Sequence, residues 1–391
     1  MLTYARARLT ALPPSICGIA LGCVGMAGTL KNVDKLVAPG VSALSIPLYI
    51  LSSLYMCVMC ARIAFSFKLA LAELRSPATC SPYGAFAMTM ALLFQALALE
   101  SSGEPSSVSF AVATAGIWVA AVLQFVVMVV FFHTCWVQSA RPEPFWFPPT
   151  VSLAMTGWTG VSVGMPRALV ELSFWGGVLL CLVFLPIATY RVISDPEDVA
   201  PNPTSAILQA PASFVTVACF VIGQSQWVPG GWLITSLFVG STAAFLITCF
   251  GVIRRRRAIM VRFSGVWAAF TFPTISTTNA ALLFWQWADS GGGDSNSNRS
   301  SSDSGGGHIN ADMNMVLYVW SATLCAVLLP AVLCVILAYT FCAVCRPAQL
   351  IVPAPVPDAS ADPKCLNAGD EEEGAEEEGA IRRSTVDVVV N

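Results

Sequence analysis

Ten apolar stretches, each about as long as a membrane span, divide this chain of 391 residues. A helix needs about 20 predominantly apolar residues to cross the hydrocarbon core of a bilayer. Charged residues make up only 11% of the chain, whereas soluble domains usually carry about 25%. The sequence therefore predicts an all-α membrane protein with ten transmembrane helices in one domain, residues 13–345. The predicted spans are 13–30, 44–67, 83–99, 109–132, 145–165, 172–189, 205–223, 231–253, 263–287 and 313–345.

The basic residues are distributed unevenly between the loops. If the spans alternate across the bilayer, all but four of the twenty Lys and Arg residues fall on the face that both termini share; the four are Lys31, Lys35, Arg167 and Arg299. Short loops rich in Lys and Arg stay on the cytoplasmic side of a membrane. We therefore expect both termini, residues 1–12 and the disordered acidic tail 346–391, to be cytosolic, and the protein to lie in the plasma membrane. Basic residues placed this way also argue against nucleic-acid binding.

The odd-numbered spans differ in composition from the even-numbered ones. Odd spans are rich in Gly, Pro, Ser and Thr, while several even spans are plain apolar stretches. This difference predicts five helical hairpins, with the odd helices in an inner ring and the even helices outside. Pro211 in span seven and Pro273 in span nine are expected to kink their helices, because proline removes a backbone hydrogen bond.

The first and fifth spans share a short pattern. Pro13-Pro14 opens one and Pro148-Pro149 opens the other, and on this alignment Gly22 and Gly25 match Gly157 and Gly160. Glycines spaced in this way allow another helix backbone to approach closely, and two similar spans with the same orientation suggest a parallel repeat. The alternative is that prolines at helix starts and glycine-rich faces are simply common in membrane helices.

Two loops carry further signals. Residues 288–312 are rich in Gly and Ser, which predicts a flexible loop, extracellular by the charge pattern, and Asn298 begins a glycosylation sequon. The second loop contains Arg254, Arg255, Arg256 and Arg257. This basic loop is interpreted either as a topology determinant or as a regulatory site for anionic lipid or the acidic tail.

The predicted spans offer little intramembrane chemistry. Asp and Glu are missing from the centre of every predicted span, and Arg62 is the clearest charge within one. Arg62 either snorkels to the interface or attracts anions at the inner mouth of a pore. No catalytic motif or metal-ligand pattern occurs on the spans, so we expect no enzyme activity, no metal and no cofactor. A receptor or scaffold without flux is a further alternative.

A family resemblance rests on the ninth span. The run RFSGVWAAFTFP, from Arg262 to Pro273, resembles the "FS-x-x-WW-x-Y-T-F-P" segment of the tellurite-resistance/dicarboxylate transporter family. The sequence differs from that segment at Ala268 and Phe270. Weaker similarities occur at Phe174-Trp175-Gly176, at Asn202-Pro203-Thr204 and at Pro148-Pro149-Thr150-Val151, and the resemblance covers about residues 10–345. The family includes the plant guard-cell slow anion channel, a bacterial tellurite-resistance protein, a yeast malic acid transporter and a sulfite efflux pump.

The resemblance implies five hairpins around a pseudo-fivefold pore lined by the odd helices, and a homotrimer with one pore per subunit. It also implies that Phe272, beside Pro273, plugs the pore. The alternative for Phe272 is ordinary core packing. Residues expected to line the pore or to pack closely around it are Gly22, Gly25, Gly157, Gly160, Pro211 and Thr271.

The predicted function is transport of small inorganic or organic anions through a central pore gated by an aromatic residue. The transport is expected to be channel-like and passive or weakly coupled, in contact with membrane lipids. The alternative is a C4-dicarboxylate (malic acid) or sulfite transporter. Because the sequence places no paired basic residues inside the pore, tight recognition of two carboxylates is less favoured.

Overall fold

The computed structural model describes residues 9–101, 107–138, 140, 142–194, 207–223, 231–254, 265–290 and 311–345. Contacts within the chain define one compact unit, Met1–Val352, and a second unit, Pro353–Asn391, that lies entirely outside the described residues. The acidic tail, Asn298 and Arg255, Arg256 and Arg257 of the basic loop also lie outside the described residues. Arg254 is the last residue of its helix.

The described residues form α-helices and 3₁₀ turns. The α-helices are α1 (Ile16–Leu36), α2 (Ser45–Phe65), α3 (Phe67–Leu74), α4 (Pro77–Glu100), α5 (Val108–Val137), α6 (Phe147–Val161), α7 (Arg167–Ser194), α8 (Ala210–Gly223), α9 (Gly231–Arg254), α10 (Thr271–Asp289) and α11 (Ala311–Cys345). The 3₁₀ turns among the described residues are Val41–Leu44, Pro144–Trp146, 207–209 and Gly265–Phe270.

Seven of these helices are long and apolar enough to cross a membrane, by length and composition: α1, α2, α4, α5, α7, α9 and α11. Each of the ten predicted spans overlaps one described helix, and the other three are α6, α8 and α10. Helices α6 and α8 have only 15 and 14 residues. Helix α10 has 19 residues, among them Thr271, Thr274, Ser276, Thr277 and Thr278, and these hydroxyl side chains lower its mean hydropathy.

Five of the helices pack in a closed ring. Helix α1 contacts α4, α4 contacts α6, α6 contacts α8, α8 contacts α10, and α10 contacts α1 again. Each ring helix also packs against the long helix that follows it along the chain, which gives the hairpin pairs α1–α2, α4–α5, α6–α7, α8–α9 and α10–α11. The described helices are thus arranged as five ring helices, each with an outer partner.

Burial separates the ring helices from their outer partners. In the most apolar 18-residue window of α1, 72% of the residues are buried, and in that of α4 61%. The corresponding windows of the outer helices α2, α5, α7, α9 and α11 are only 28% to 44% buried. The outer helices also expose large apolar side chains, including Leu54, Val122, Leu179 and Phe250. An apolar exposed surface of this kind is suited to lipid rather than to water.

Pro211 and Pro273 lie in the first turn of their α-helices. Pro211 is the second residue of α8, after the 3₁₀ residues 207–209, and Pro273 is the third residue of α10, after the 3₁₀ turn Gly265–Phe270. A proline in the first turn of an α-helix removes no α-helical hydrogen bond, so each proline follows a change from 3₁₀ to α geometry and does not interrupt the middle of its α-helix. Prolines inside helices occur elsewhere, at Pro82 in α4, Pro186 in α7 and Pro330 in α11.

Small residues allow the ring helices to approach each other closely. A Cβ atom added at Gly22 of α1 would lie 2.5 Å from Thr271 Oγ1 of α10, and one at Gly84 of α4 would lie 2.7 Å from the carbonyl carbon of Pro148 in α6. Thr271 Oγ1 also donates to the carbonyl oxygen of Gly18 at 3.1 Å. These contacts hold α1 against α10 and α4 against α6 at distances that a larger residue could not reach.

The paired glycines of the first and fifth spans pack against different neighbours. A Cβ atom at Gly157 would lie 2.9 Å from the carbonyl oxygen of Val170 in α7, the outer partner of α6. A Cβ atom at Gly160 would lie 2.9 Å from Met165 Sδ in the loop that follows α6. Gly22 instead faces a neighbouring ring helix, so the sequence alignment of the two pairs does not correspond to equivalent packing.

We predict that Gly84→Ala destabilises the protein by about 1–3 kcal/mol, the usual cost of overpacking. The added methyl group would meet the Pro148 and Pro149 backbone, which cannot rotate away as a side chain can. Gly28→Ala in α1 is the matched control, since a Cβ atom there meets no atom within 4 Å. Unfolding in mixed micelles, followed by circular dichroism, should show a lower free energy of unfolding for Gly84→Ala and not for Gly28→Ala. Equal stability of the two variants would contradict the close contact.

Candidate functional site

Two cavities lie inside the ring of helices. The N-side cavity, of about 230 Å³, is lined by residues from the N-terminal parts of all five ring helices, among them Gly18, Ala85, Val151, Pro211 and Pro273. The C-side cavity, of about 480 Å³, is lined by residues from the C-terminal parts of the same helices, among them Gly28, Gln95, Trp158, Val217 and Asn279. Because all five helices contribute to both cavities in this order, the ring helices run in the same direction.

Phe214 and Phe272 lie at the junction of the two cavities. Among the described residues, they are the two that line both cavities. Phe214 belongs to α8 and Phe272 to α10, both side chains are buried, and their ring centroids are 5.8 Å apart with planes inclined by 56°. Trp158 of α6 also contacts Phe214, with a centroid distance of 5.7 Å, and lines the C-side cavity. Phe214 and Phe272 therefore lie between the cavities, and Trp158 lies on the C-side of them.

The position of Phe272 follows from the start of α10. Thr271, the first residue of the helix, packs on Gly22 and donates to Gly18, which fixes the first turn of α10 against α1. Phe272 then lies against Gly25 of α1, where an added Cβ atom would be 3.2 Å from Phe272 Cδ2. Gly25 thus leaves room for the aromatic ring, and Pro273 continues the helix without requiring a hydrogen-bond acceptor.

The two cavities differ in polarity. Most of the described residues that line the N-side cavity are apolar, the polar ones are Ser15, Ser81 and Ser152, and none of these described residues carries a charge. The C-side cavity is lined by Lys31 and Lys35 and by the polar side chains of Thr29, Asn32, Gln95, Ser162, Ser276 and Asn279. An anion in the N-side cavity would therefore meet few side-chain donors, whereas one in the C-side cavity would meet ammonium and amide groups.

Hydrogen bonds join the ring helices around the C-side cavity. Asn32 Nδ2 of α1 donates to Asn279 Oδ1 of α10 at 2.8 Å. Gln95 Nε2 of α4 donates to Ser162 Oγ, just after α6, at 2.9 Å. Lys31 forms an ion pair with Glu100, and its ammonium group lies 5.2 Å from the centroid of the Tyr49 ring. These bonds link the polar side chains of neighbouring ring helices to each other.

Arg62 occupies a different place from the predicted one. Its side chain is only 2% exposed and lines neither cavity. The guanidinium forms a two-pronged ion pair with Glu73, with N–O distances of 2.8 and 2.5 Å, and Arg62 Nε donates to the carbonyl oxygen of Leu12 at 2.8 Å. Tyr83 Oη donates to the same carboxylate at 2.6 Å. Because Glu73 neutralises its charge, the structure argues against Arg62 as an anion-attracting group and assigns it a packing role.

The predicted site residues therefore fall into two groups. Phe272, Pro273, Pro211 and Gly25 line the cavities. Gly22, Gly157, Gly160 and Thr271 line neither cavity; Gly22, Gly157 and Thr271 lie in contacts between helices, and Gly160 packs on Met165 in the loop after α6. Phe214 and the two lysines of the C-side cavity were not identified as site residues from the sequence. An aromatic residue one turn after the helix-initiating Pro211 was the available signal for Phe214.

We predict that Arg62→Met lowers the free energy of unfolding by about 3–5 kcal/mol, because it leaves the Glu73 carboxylate with an uncompensated buried charge. Arg167→Met is the control, since Arg167 is exposed and pairs with Glu171 one turn away, where ion pairs contribute little. Unfolding titrations in mixed micelles provide the measurement. If Arg62→Met and Arg167→Met lower the free energy of unfolding by similar small amounts, a structural role for Arg62 is contradicted.

Comparison with protein families identifies the chain. The family model described as voltage-dependent anion channel (SLAC1) matches residues 11–341, which is most of the chain and includes all five ring helices. No curated protein matches the chain. The family match confirms the resemblance carried by the ninth span. The chain therefore belongs to the voltage-dependent anion channel family, as an integral membrane protein of a family that transports anions across membranes.

Proposed function

We propose that this protein is a gated anion channel whose pathway runs through the ring of five helices. The N-side cavity, the aromatic pair Phe214 and Phe272, and the C-side cavity would follow one another along that pathway. The observation that carries the proposal is that, of the described residues, these two aromatic residues are the ones that line both cavities inside one closed helix ring. Bulky apolar side chains at such a position can gate by steric block or by dewetting.

Anion preference in this channel would come mainly from the helix ends. All five ring helices direct their N-terminal parts towards the N-side cavity, and a helix N-terminus carries a partial positive charge of roughly half an elementary charge. Five such ends would favour an anion over a cation in a cavity whose described lining residues carry no charge. An intramembrane arginine is therefore not required to explain anion selectivity.

Passive transport is favoured by the residues that line the two cavities. Proton-coupled carriers usually hold a carboxylate or a histidine in the membrane as a relay. Among the described residues that line the cavities, none is Asp, Glu or His. Lys31 and Lys35 are the charged residues of these linings, and both lie at the C-terminal end of α1.

We further propose that ten helices cross the bilayer around a pseudo-fivefold pore. The closed ring of contacts supports this arrangement. Helices α6, α8 and α10 can be short or rich in hydroxyl groups because outer partners shield them from lipid, which removes the need for a continuous apolar surface. Trimerisation through the exposed apolar outer helices, with one pore per subunit, is part of the same proposal.

The charge pattern supports an orientation with both termini cytosolic and the N-side cavity facing the cytosol in the plasma membrane. In that orientation the Gly- and Ser-rich loop is extracellular, which makes Asn298 available for glycosylation. The basic loop, Arg254 to Arg257, is then cytosolic, where it would bind anionic lipid or the acidic tail.

The C4-dicarboxylate or sulfite transporter is the second candidate, and the two lysines of the C-side cavity are the observation in its favour. Two carboxylates of malate require two available cationic partners for tight recognition. Lys31 is already paired with Glu100, and the described residues that line the N-side cavity include no cationic side chain. This cavity chemistry favours monovalent anions.

Replacing the aromatic residues at the junction tests the gate. We predict that Phe272→Ala and Phe214→Ala each raise anion current at least about tenfold over wild type, because removing a ring widens the junction and makes it easier to hydrate. Phe220→Ala is the matched control, as Phe220 is in the same helix as Phe214 and lines neither cavity. Voltage-clamp currents with chloride, nitrate and malate should be normalised to surface protein.

Wild-type currents after Phe272→Ala and Phe214→Ala, at equal surface expression, would contradict the gate. Saturable, pH-dependent malate uptake without channel current would contradict the channel and support the carrier. An equally large rise in Phe220→Ala would show that the effect is not specific to the junction.

A further inference from the structure

We propose that the C-side cavity contains an anion-capture site in which Lys35 supplies the attracting charge. The ligand class is a small monovalent anion, such as chloride or nitrate. This inference rests on the proposed channel function, which it deepens by naming the residue that concentrates anions at one entrance.

Of the two lysines that line this cavity, Lys35 is the one whose ammonium group has no acidic partner among the described residues. Lys31 is paired with Glu100 and lies over the Tyr49 ring. Lys35 is one helical turn further along α1, is exposed, lines the same cavity and makes no ion pair with any described residue. The two side chains lie on the same face of α1, because residues four apart are neighbours on a helix.

Other acidic groups near this end of the ring are engaged elsewhere. The Asp34 carboxylate accepts hydrogen bonds from the backbone N–H groups of Gly40 and Ser42 in the loop after α1. Asp289, at the end of α10, accepts from Asn314 Nδ2 of α11. Neither residue lines the C-side cavity or pairs with Lys35. Among the described residues, Glu100 is the carboxylate that pairs with a lysine of this lining, and its partner is Lys31.

This positive charge offsets an unfavourable feature of the ring. The C-terminal ends of five parallel helices converge on the C-side cavity, and each carries a partial negative charge that repels anions. Without an exposed cation, anions would be depleted at this entrance. Lys35 therefore places a positive charge at the entrance where helix polarity opposes anion entry.

A polar path leads from Lys35 towards the aromatic pair. Asn279 of α10 is two turns from Phe272 on the same helix, and Asn32 Nδ2 donates to its Oδ1. No hydrogen bond among the described residues uses Asn279 Nδ2 as a donor, so this amide N–H group can donate to an anion. An anion attracted by Lys35 would thus meet a donor before it reaches Phe272.

The test combines a binding measurement with a transport measurement. Chloride binding to the purified full-length protein is measured as excess ³⁵Cl NMR linewidth. The part of this linewidth that is lost when nitrate displaces chloride reports the site. Anion entry from the C-side is followed in voltage-clamped cells as current against external chloride, in the Phe272→Ala background. The variants are Lys35→Gln, the charge-conserving Lys35→Arg, and the control Arg167→Gln, which removes an exposed cation outside both cavities.

We expect Lys35→Gln to lose most of the displaceable linewidth and to raise the half-saturating external chloride about threefold, as expected for one exposed charge near the anion. High ionic strength should abolish the difference by screening. Lys35→Arg and Arg167→Gln should behave as the parent protein.

If Lys35→Gln keeps the whole nitrate-sensitive excess linewidth, the capture site is overturned. It is also overturned if the parent protein shows no such excess linewidth. If Lys35→Gln loses the linewidth while no variant carries current, the capture site stands and the channel function fails. The two proposals therefore fail in distinguishable ways.

Discussion

Close packing between the backbones of neighbouring ring helices is the constraint on which the rest of this structure depends. Apolar side chains gain little by leaving lipid for protein, so helices in a membrane associate through close packing and polar contacts. At Gly22 the ring helix α1 meets Thr271, and at Gly84 the helix α4 meets the backbone of Pro148. The hydrogen bond from Thr271 to Gly18 adds a polar contact to the first of these junctions. These contacts hold the five helices in a ring and leave cavities along its interior.

The properties of the cavities follow from the common direction of the ring helices. Positive helix ends surround the N-side cavity, where no described lining residue is charged, and negative helix ends surround the C-side cavity, which is lined by two lysines. In the proposed channel, helix polarity would favour anions at one end, and side-chain charge would compensate for it at the other. Between them, Phe214 and Phe272 come from adjacent ring helices, so small changes in the packing of α8 against α10 would alter the junction.

Much of this organisation can be predicted from the sequence, because it depends on local composition. Apolar length indicates the seven helices that are long and apolar enough to cross a membrane. The contrast between spans rich in Gly, Pro, Ser and Thr and plain apolar spans predicts which helices form the ring, and the resemblance at the ninth span indicates Phe272. The placement of Phe214 depends on contacts between α8 and α10, which are distant in sequence. Arg62 was interpreted as a residue of the inner mouth because Glu73, its partner, lies outside the predicted spans. The prolines Pro211 and Pro273 were assigned to helix interiors because the predicted spans begin earlier than the helices do.

Cysteine accessibility on the two sides of the aromatic pair shows whether Phe214 and Phe272 separate the two cavities. Ala96→Cys places a thiol in the C-side cavity and Ala269→Cys places one in the N-side cavity. A small anionic thiol reagent is applied outside. It is expected to modify Ala96→Cys both in the protein with Phe272 and in the Phe272→Ala variant. Modification of Ala269→Cys is expected only when Phe272→Ala is also present, and protein without the added cysteines provides the baseline. If the external reagent modifies Ala269→Cys equally fast with Phe272 in place, the aromatic pair does not separate the cavities and the account is contradicted.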